Sequence, residues 1–319
     1  MTIQNVLVVG GAGFIGRHVL NVLASKGIRA TVPTRRRDRA KHLILLPTVD
    51  VVETDVNAPG VLESLARQHE AVINLTGILH SRRAAGGARY GEDFRLAHVE
   101  LPQHIINASR AAGIKRVLHM SALGASVEAP SEYLRSKGAG EQAMLAADDL
   151  AVTVFRPSVV FGPEDLFLNR FAQLAALSPV IPLACADARF QPVYVGDVAN
   201  AFVRCLDERD ACGRSYDLVG PREYTLREIV KYACRLGGRR RLVVGLGKGL
   251  SGMQASVMER LPGKLLTRDN VDSMSVPSVS GDPLPFGIAP TSMEAVAPLY
   301  LAHAAPRERY GMLRHKANR

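Results

Sequence analysis

The chain has 319 residues, 47% hydrophobic and 22% charged, an ordinary globular balance that supplies a large buried core and excludes a disordered chain. Aromatic residues make up 5% and Trp is absent, which argues against an aromatic stacking platform for nucleic acid. The net charge of +10 includes dense clusters at Arg35-Arg36-Arg37 and Arg239-Arg240-Arg241; it suits phosphates or anionic surfaces as partners, or belongs to an ordinary basic protein.

This length allows one large α/β domain with an appended lobe, or two small domains. The four cysteines, Cys185, Cys205, Cys212 and Cys234, show no C-x-x-C spacing and read as reduced thiols, and no metal site is expected. The apolar start lacks a basic n-region and is broken by glycine, so it reads as a strand and not a signal peptide, and its early position is expected of a bacterial-type or already mature chain with no room for a mitochondrial presequence. No apolar run reaches the roughly 18 residues needed to cross a bilayer.

Ile3 to Val9 is a near-continuous apolar run, as in a strand buried on both faces. Phe14 to Ser25 has helical periodicity, and Gly27 closes it. Further strands are expected at Ile28–Pro33, Val49–Glu53, Ala71–Leu75, Lys115–Met120 and Ala151–Phe155, with helices at Pro102–Ala112 and Glu132–Ala146. This alternation predicts an α/β, Rossmann-like, doubly wound parallel sheet. Beyond about residue 160 the pattern loosens into shorter pieces. Helices are expected at Val198–Leu206 and Thr225–Leu236, strands near Tyr216–Leu218 and at Leu242–Val244, and an extended loop at 275–290. The reading is a dinucleotide-binding domain at 1–162 and a smaller substrate or partner lobe at 163–319, with segments near 190–220 returning to the main sheet. Leu242 to Leu261 is mixed apolar, either a packed core helix or a stretch that docks on a membrane or partner. The basic last dozen residues are expected to fray.

The first strand runs into Gly10, Gly13 and Gly16, spaced G-x-x-G-x-x-G. Gly10 suits a tight turn, Gly13 close approach of a pyrophosphate and Gly16 close helix–strand packing, with Phe14 and Ile15 opening the helix that faces the anion. After the second strand, Thr34-Arg35-Arg36 stands where a ribose-binding carboxylate would be. A guanidinium there suits a 2′-phosphate, so NADP(H) is favoured over NAD(H), with Arg35 foremost and Arg36 or Arg39 second. Asp55 and Val56 follow the third strand, Leu75, Thr76 and Gly77 the fourth, and Met120 and Ser121 close the fifth; all lie at the carboxyl edge, where such sheets bind ligands.

Tyr133 and Lys137 form Y-x-x-x-K on one face of a helix, so the ammonium can stabilise a tyrosinate and suit Tyr133 to acid–base work. His80, Arg82-Arg83 and Gly86-Gly87 suggest a mobile loop over the site.

With these motifs the chain resembles an extended short-chain dehydrogenase/reductase, further matched by Arg156-Pro157-Ser158-Val159-Val160-Phe161-Gly162-Pro163 and Pro192-Val193-Tyr194-Val195-Gly196-Asp197-Val198-Ala199. The resemblance implies that Pro157, Ser158, Val159 and Val160 hold the nicotinamide carboxamide. It also implies that the V-x-D-V-A segment braces the substrate lobe and that Arg189-Phe190-Gln191 reaches substrate. SEYLRSKGAGE, FGPEDLFLNRF, QPVYVGDVANA and LTRDNVDSM narrow the resemblance to an atypical branch, that of the nucleotide-binding accessory subunit of mitochondrial respiratory complex I and its bacterial relatives. That branch implies tight NADPH binding and a connection to ubiquinone.

Two departures stand out. Where extended members carry two adjacent hydroxyl residues this chain reads Ser121-Ala122, and His98 aligns with the usual Asn. Two functions are therefore expected. One is an NADPH-dependent oxidoreductase or epimerase-like enzyme acting on a carbonyl, sugar-nucleotide or quinone-like small molecule, with Tyr133, Lys137 and Ser121 catalytic. The other is a non-catalytic NADPH-binding accessory or assembly factor of a respiratory or ubiquinone-synthesising system. The expected location is cytoplasmic, peripheral to the inner face of the membrane, with a respiratory-complex or membrane-surface partner and no nucleic acid.

Overall fold

Apolar runs without polar alternation become the central strands of a parallel sheet. The computed structural model describes residues 3–84, 86–260 and 266–302. In chain order the elements are β1 (Asn5–Val9), α1 (Phe14–Ser25), β2 (Arg29–Thr34), β3 (Val49–Glu53), α2 (Val61–Ala66), β4 (Ala71–Asn74), α3 (Glu92–Phe94), α4 (Leu101–Ala112), β5 (Arg116–Met120), α5 (Glu132–Leu145) and β6 (Ala151–Pro157). They continue as β7 (Val160–Phe161), α6 (Leu168–Leu177), β8 (Val180–Leu183), β9 (Arg189–Phe190), β10 (Val193–Tyr194), α7 (Val195–Cys205), β11 (Arg214–Leu218), β12 (Tyr224–Thr225), α8 (Leu226–Leu236), β13 (Leu242–Gly245), α9 (Lys248–Met258), α10 (Arg268–Ser273) and α11 (Met293–Leu301).

The described residues fall into two compact units: 3–157 with Val195–Leu218 and Gly281–Ala289, and Ser158–Tyr194 with Val219–Ser280 and 290–302. The first unit holds a seven-stranded sheet ordered β11-β6-β5-β4-β1-β2-β3. Its pairs are all parallel. This is the doubly wound Rossmann-like arrangement that the alternation predicts. The order reverses between β1 and β4, and in such sheets the ligand crevice opens outside the carboxyl ends at that point.

Every residue of β4 and β5 is buried. Leu7, Val72, Val117 and Val152 share one core with Leu101, Ile105 and Met144 of the covering helices. Across the sheet, α1 packs on α7. The second unit has three two-stranded pairs, β7–β10, β12–β9 and β13–β8. They pack with α6, α8 and α11 through Phe161, Leu168, Ile229, Met293 and Leu301.

Two local expectations change. The helix expected from Pro102 begins earlier: a π-helical segment, Arg95–Glu100, joins α3 to α4. Pro is favoured in a helix's first turn and lacks an N–H, so it imitates a start, whereas a π turn has no sequence signature. The stretch from Leu242 is β13 followed by α9, and α9 buries small residues, Ser251 at 1% and Ala255 at 0% exposure, while Leu250, Met253 and Val257 stay exposed. It is a helix with one buried side and not a wholly packed core helix. The 275–290 loop carries one short 3-10 turn, Pro285–Gly287. The basic C-terminal dozen lies outside the described residues. Among the described residues no helix is long and apolar enough to cross a membrane, and no group of His, Cys, Asp or Glu could hold a metal.

Candidate functional site

The chain leaves β1 through Gly10, whose φ is +82°. A Cβ there would lie 2.9 Å from the main chain of Leu75 and Thr76, so the exit of β1 rests directly on the segment after β4. A Cβ on Gly16 would lie 2.4 Å from the Gly11 carbonyl oxygen, so α1 starts hard against the turn. Gly13 is the N-cap of α1 and supplies no side-chain acceptor. The first-turn amides, at Phe14 and Ile15, lie at the positive end of the helix, the usual seat for a pyrophosphate. This cradle fits a dinucleotide.

Thr34 ends β2, and the two arginines after it differ. Arg36 grips Asp38 with two bonds, Nε to Oδ1 at 3.2 Å and Nη2 to Oδ2 at 2.8 Å. Arg35 is exposed and forms no ion pair among the described residues. Asp55 spends one carboxylate oxygen on Asn57, accepting its N–H at 3.0 Å and its amide at 3.1 Å. Val56 beside it is half-buried.

The densest chemistry lies where α5 crosses the ends of β4 and β5. Ser131 caps α5, its Oγ accepting from the Leu134 N–H at 3.1 Å. Lys137 is 3% exposed, and its Nζ donates to the carbonyls of Thr76 at 2.9 Å and Met120 at 3.0 Å. Gly77 passes beside it, where a Cβ would lie 3.4 Å from the same Nζ. Burial lowers the Lys137 pKa from 10.5 to about 8, against an opposing pull from Glu141. Glu141, one turn further along α5, accepts from Arg156 Nε at 2.7 Å and also pairs with its Nη2. Tyr133 is half-buried one turn before Lys137.

His98 lies in the π-helical segment, stacked on Phe94 and edge-on to Tyr133, with ring centroids 5.4 Å and 5.6 Å away. Burial first, then Lys137 and His119, push its pKa well below the ordinary histidine value, so the ring is neutral. Its Nε2 accepts from the Ile78 N–H at 3.1 Å, which assigns the proton to Nδ1. Nδ1 then donates to Ser136 Oγ at 2.9 Å, and Ser136 donates to the Tyr133 carbonyl at 2.8 Å. Thus His98 ties the segment after β4 to the helical turn carrying Tyr133.

Beneath Lys137, Asn74 donates to His119 Nδ1 at 3.1 Å and accepts from the Thr76 N–H at 3.0 Å. Burial pushes the His119 pKa down to about 3. Ser121 is 2% exposed, and its Oγ has no hydrogen-bond partner among the described residues. A buried orphan hydroxyl at a strand's carboxyl end fits a group that donates to a ligand oxygen. Ala122 beside it is 7% exposed and carries no donor. Sequence reasoning missed Asn74, His119 and Glu141. The readable signals were polar residues inside apolar strands, and a carboxylate four residues after Lys137.

The loop bearing Arg82-Arg83 and Gly86-Gly87 is tied to α5: Glu132 accepts from the Ala84 N–H at 3.2 Å and the Gly91 N–H at 2.8 Å. Pro157 ends β6, and the next three residues of the expected carboxamide segment belong to the second unit. There Ser158 Oγ donates to the Ser278 carbonyl at 2.8 Å, Val159 accepts from the Val193 N–H at 3.0 Å, and Val160 pairs with Val193 in the β7–β10 ladder. Arg189 is bound to Glu223, with Nη2 to Oε2 at 2.7 Å, and Gln191 Nε2 donates to the Gly220 carbonyl at 2.8 Å. With Phe190 paired to Tyr224, all three residues expected to reach substrate have partners within their own unit.

Comparison with known proteins agrees with the fold. The mitochondrial NADH dehydrogenase (ubiquinone) 1 alpha subcomplex subunit 9 of Mus musculus is 31% identical over 298 residues, 90% of this chain and 77% of that protein. The ceramide reductase of Caulobacter vibrioides is 36% identical over 198 residues, 62% of this chain and 59% of that protein. Among solved structures, the dTDP-glucose 4,6-dehydratase of Streptomyces venezuelae with NAD bound has a TM-score of 0.72 at 20% identity, covering 97% of this chain and 98% of that one, a likeness of fold. Residues 6–218 match one family along the whole main sheet, and the chain belongs to the NAD dependent epimerase/dehydratase family, the extended short-chain dehydrogenase/reductases.

Proposed function

We propose that the chain is an NADPH-dependent oxidoreductase that exchanges a proton with its substrate through Tyr133. The observation that carries this reading is Lys137: a buried ammonium one helical turn after Tyr133, fixed by the carbonyls of Thr76 and Met120. Gly10, Gly13 and Gly16 with the start of α1 would seat the pyrophosphate, and Arg35 the 2′-phosphate. When bound, the nicotinamide supplies or accepts the hydride. The chain's own residues do the rest. Lys137 favours the tyrosinate by charge, so Tyr133 can give a proton to a carbonyl oxygen or take one from a hydroxyl. Ser121 Oγ is the donor for that oxygen. The name of the Caulobacter vibrioides relative, ceramide reductase, favours reduction of a carbonyl among the carbonyl, sugar-nucleotide and quinone-like candidates.

The test is titration of the purified chain with both dinucleotides, followed by NADPH consumption with candidate carbonyl compounds in wild type and Tyr133→Phe. Tighter binding of NADPH and a carbonyl-dependent rate lost in the variant are expected. A chain that binds neither dinucleotide, or a rate untouched by the substitution, overturns the reading.

A second reading rests on Ala122, which is buried and lacks the hydroxyl that extended members carry there. With the Mus musculus relative named as an NADH dehydrogenase subunit, it favours an NADPH-binding accessory protein of a respiratory complex, cytoplasmic and peripheral to the inner face of the membrane. Under it, Tyr133→Phe leaves complex assembly intact while loss of dinucleotide binding impairs it.

A further inference from the structure

The second basic cluster of the sequence, Arg239-Arg240-Arg241, has no part in the site above. It lies in the second unit on the wall of a cavity of about 500 Å³. One face of α8 forms another wall, because Glu228, Lys231, Tyr232 and Arg235 recur at helical spacing. Arg222 and Glu294 complete the rim.

Six basic side chains thus face two acidic ones, and both acids are already engaged by neutral partners. Glu228 Oε2 accepts from the Thr225 N–H and hydroxyl, each at 2.8 Å, in the capping box of α8. Glu294 Oε1 accepts from the Tyr224 hydroxyl at 2.7 Å. Among the described residues none of the six basic groups forms an ion pair. Arg241 is partly structural, donating from Nε to the Ala175 carbonyl at 2.8 Å. Arg222 lies 5.1 Å over the Tyr224 ring and Arg235 5.7 Å over the Tyr232 ring. Those contacts use guanidinium faces and leave the N–H edges for an anion.

We propose that this cavity binds a phosphate-bearing ligand, a pyrophosphate or phosphomonoester group held by Arg222, Lys231, Arg235 and Arg240. The volume falls within the roughly 300–1,000 Å³ usual for small-molecule sites. Guanidinium forks match phosphate oxygens two at a time, and so many uncompensated cations suit a multiply charged anion better than a lone carboxylate. The phosphate can come from a free phosphorylated molecule or from a phospholipid headgroup. Leu242, directly after Arg241, is 62% exposed and gives the second source an apolar neighbour.

The test uses the full chain saturated with NADPH, so that the glycine turn does not compete. Inorganic pyrophosphate is titrated by calorimetry, and flotation is measured with phosphatidylcholine vesicles with and without phosphatidic acid. Two independent variants, Lys231→Gln/Arg235→Gln and Arg222→Gln/Arg240→Gln, are compared with a control, Arg209→Gln/Arg214→Gln, on exposed positions of the other unit. Thermal melts and NADPH titration of each variant check that the fold and the dinucleotide site are intact. Binding that weakens with salt and falls about tenfold or more in each cavity variant, but not in the control, is expected. Pyrophosphate binding without flotation identifies a free ligand; flotation that needs phosphatidic acid, without pyrophosphate binding, identifies a headgroup. Binding of neither, or equal losses in cavity and control variants, overturns the proposal.

Discussion

The ammonium of Lys137 lies 2.9 Å from the carbonyl oxygen of Thr76, so the helix that carries Tyr133 is anchored to the end of β4 through a buried charge. Burial lowers this lysine's pKa from 10.5 to about 8. In the unfolded chain it titrates near 10.4. Below pH 8 both states hold the proton, and the fold carries the full cost of the buried charge. Between about pH 8 and 10.5 the folded chain has lost the proton and the unfolded chain has not, so this group's contribution to stability rises with pH. Under the proposed role of Tyr133, activity is expected to move the other way, because Tyr133 loses its neighbouring charge. The expected result is a rate that falls through an apparent pKa near 8 while melting temperature, compared with that of Lys137→Met, gains over the same range. A rate constant from pH 7 to 9.5 would contradict the role of the charge.

Ser121 separates stability from function. Its hydroxyl is buried without a partner, so Ser121→Ala removes an unsatisfied group and should leave stability unchanged or raise it by about 1 kcal/mol. The same change removes the donor proposed for the substrate oxygen and should lower turnover roughly a hundredfold. Ala122→Ser is the complement, since it places a second hydroxyl in the same strand end and should raise turnover. Urea unfolding and steady-state rates on both variants check this. A destabilised Ser121→Ala with a normal rate would make the hydroxyl structural.

The two arginines after β2 predict different cofactor effects. Arg36 is committed to Asp38 by two hydrogen bonds, whereas Arg35 is exposed with no ion pair among the described residues. Arg35→Ala should weaken NADPH about tenfold or more and leave NADH nearly unchanged. Asp38→Asn releases Arg36 and should tighten NADPH a fewfold, most visibly at low salt. Parallel titrations with the two dinucleotides decide it, and equal loss of both in Arg35→Ala would refute the 2′-phosphate role.

Long periodic segments were the readable part of this chain. The spacing predicts α1 at Phe14–Ser25 and β3 at Val49–Glu53, and the structure has the same bounds. β7, β9, β10 and β12 are two residues each, too short for any period to show. They are held by partners elsewhere in their unit, as Phe190 is by Tyr224. The glycine turn was legible because φ and close approach restrict the residue type at Gly10. Spacing marked Tyr133 and Lys137 as a pair. It did not show that His98 would bond Ile78 and Ser136, contacts made across 20 and 38 residues of chain. It also left Glu141 as one more helical carboxylate.

That carboxylate joins the packing of the sheet to the chemistry of the site. Glu141 is 4% exposed and holds Arg156 of β6, while its charge also raises the Lys137 pKa against burial. Glu141→Gln keeps the shape of the side chain but removes the charge from both neighbours. Arg156 is about a third exposed, so water recovers part of its lost partner, and the expected cost is about 2 kcal/mol rather than the larger loss of a fully buried pair. Without the carboxylate, Lys137 should release its proton at a lower pH than now, and the fall in rate should begin below pH 8. Arg156→Met removes the same ion pair but leaves Glu141 charged, so it should cost stability without moving the midpoint of the pH profile downward. Urea melts and pH profiles of the two variants separate these effects, and identical midpoints in both would show that Glu141 acts through packing alone.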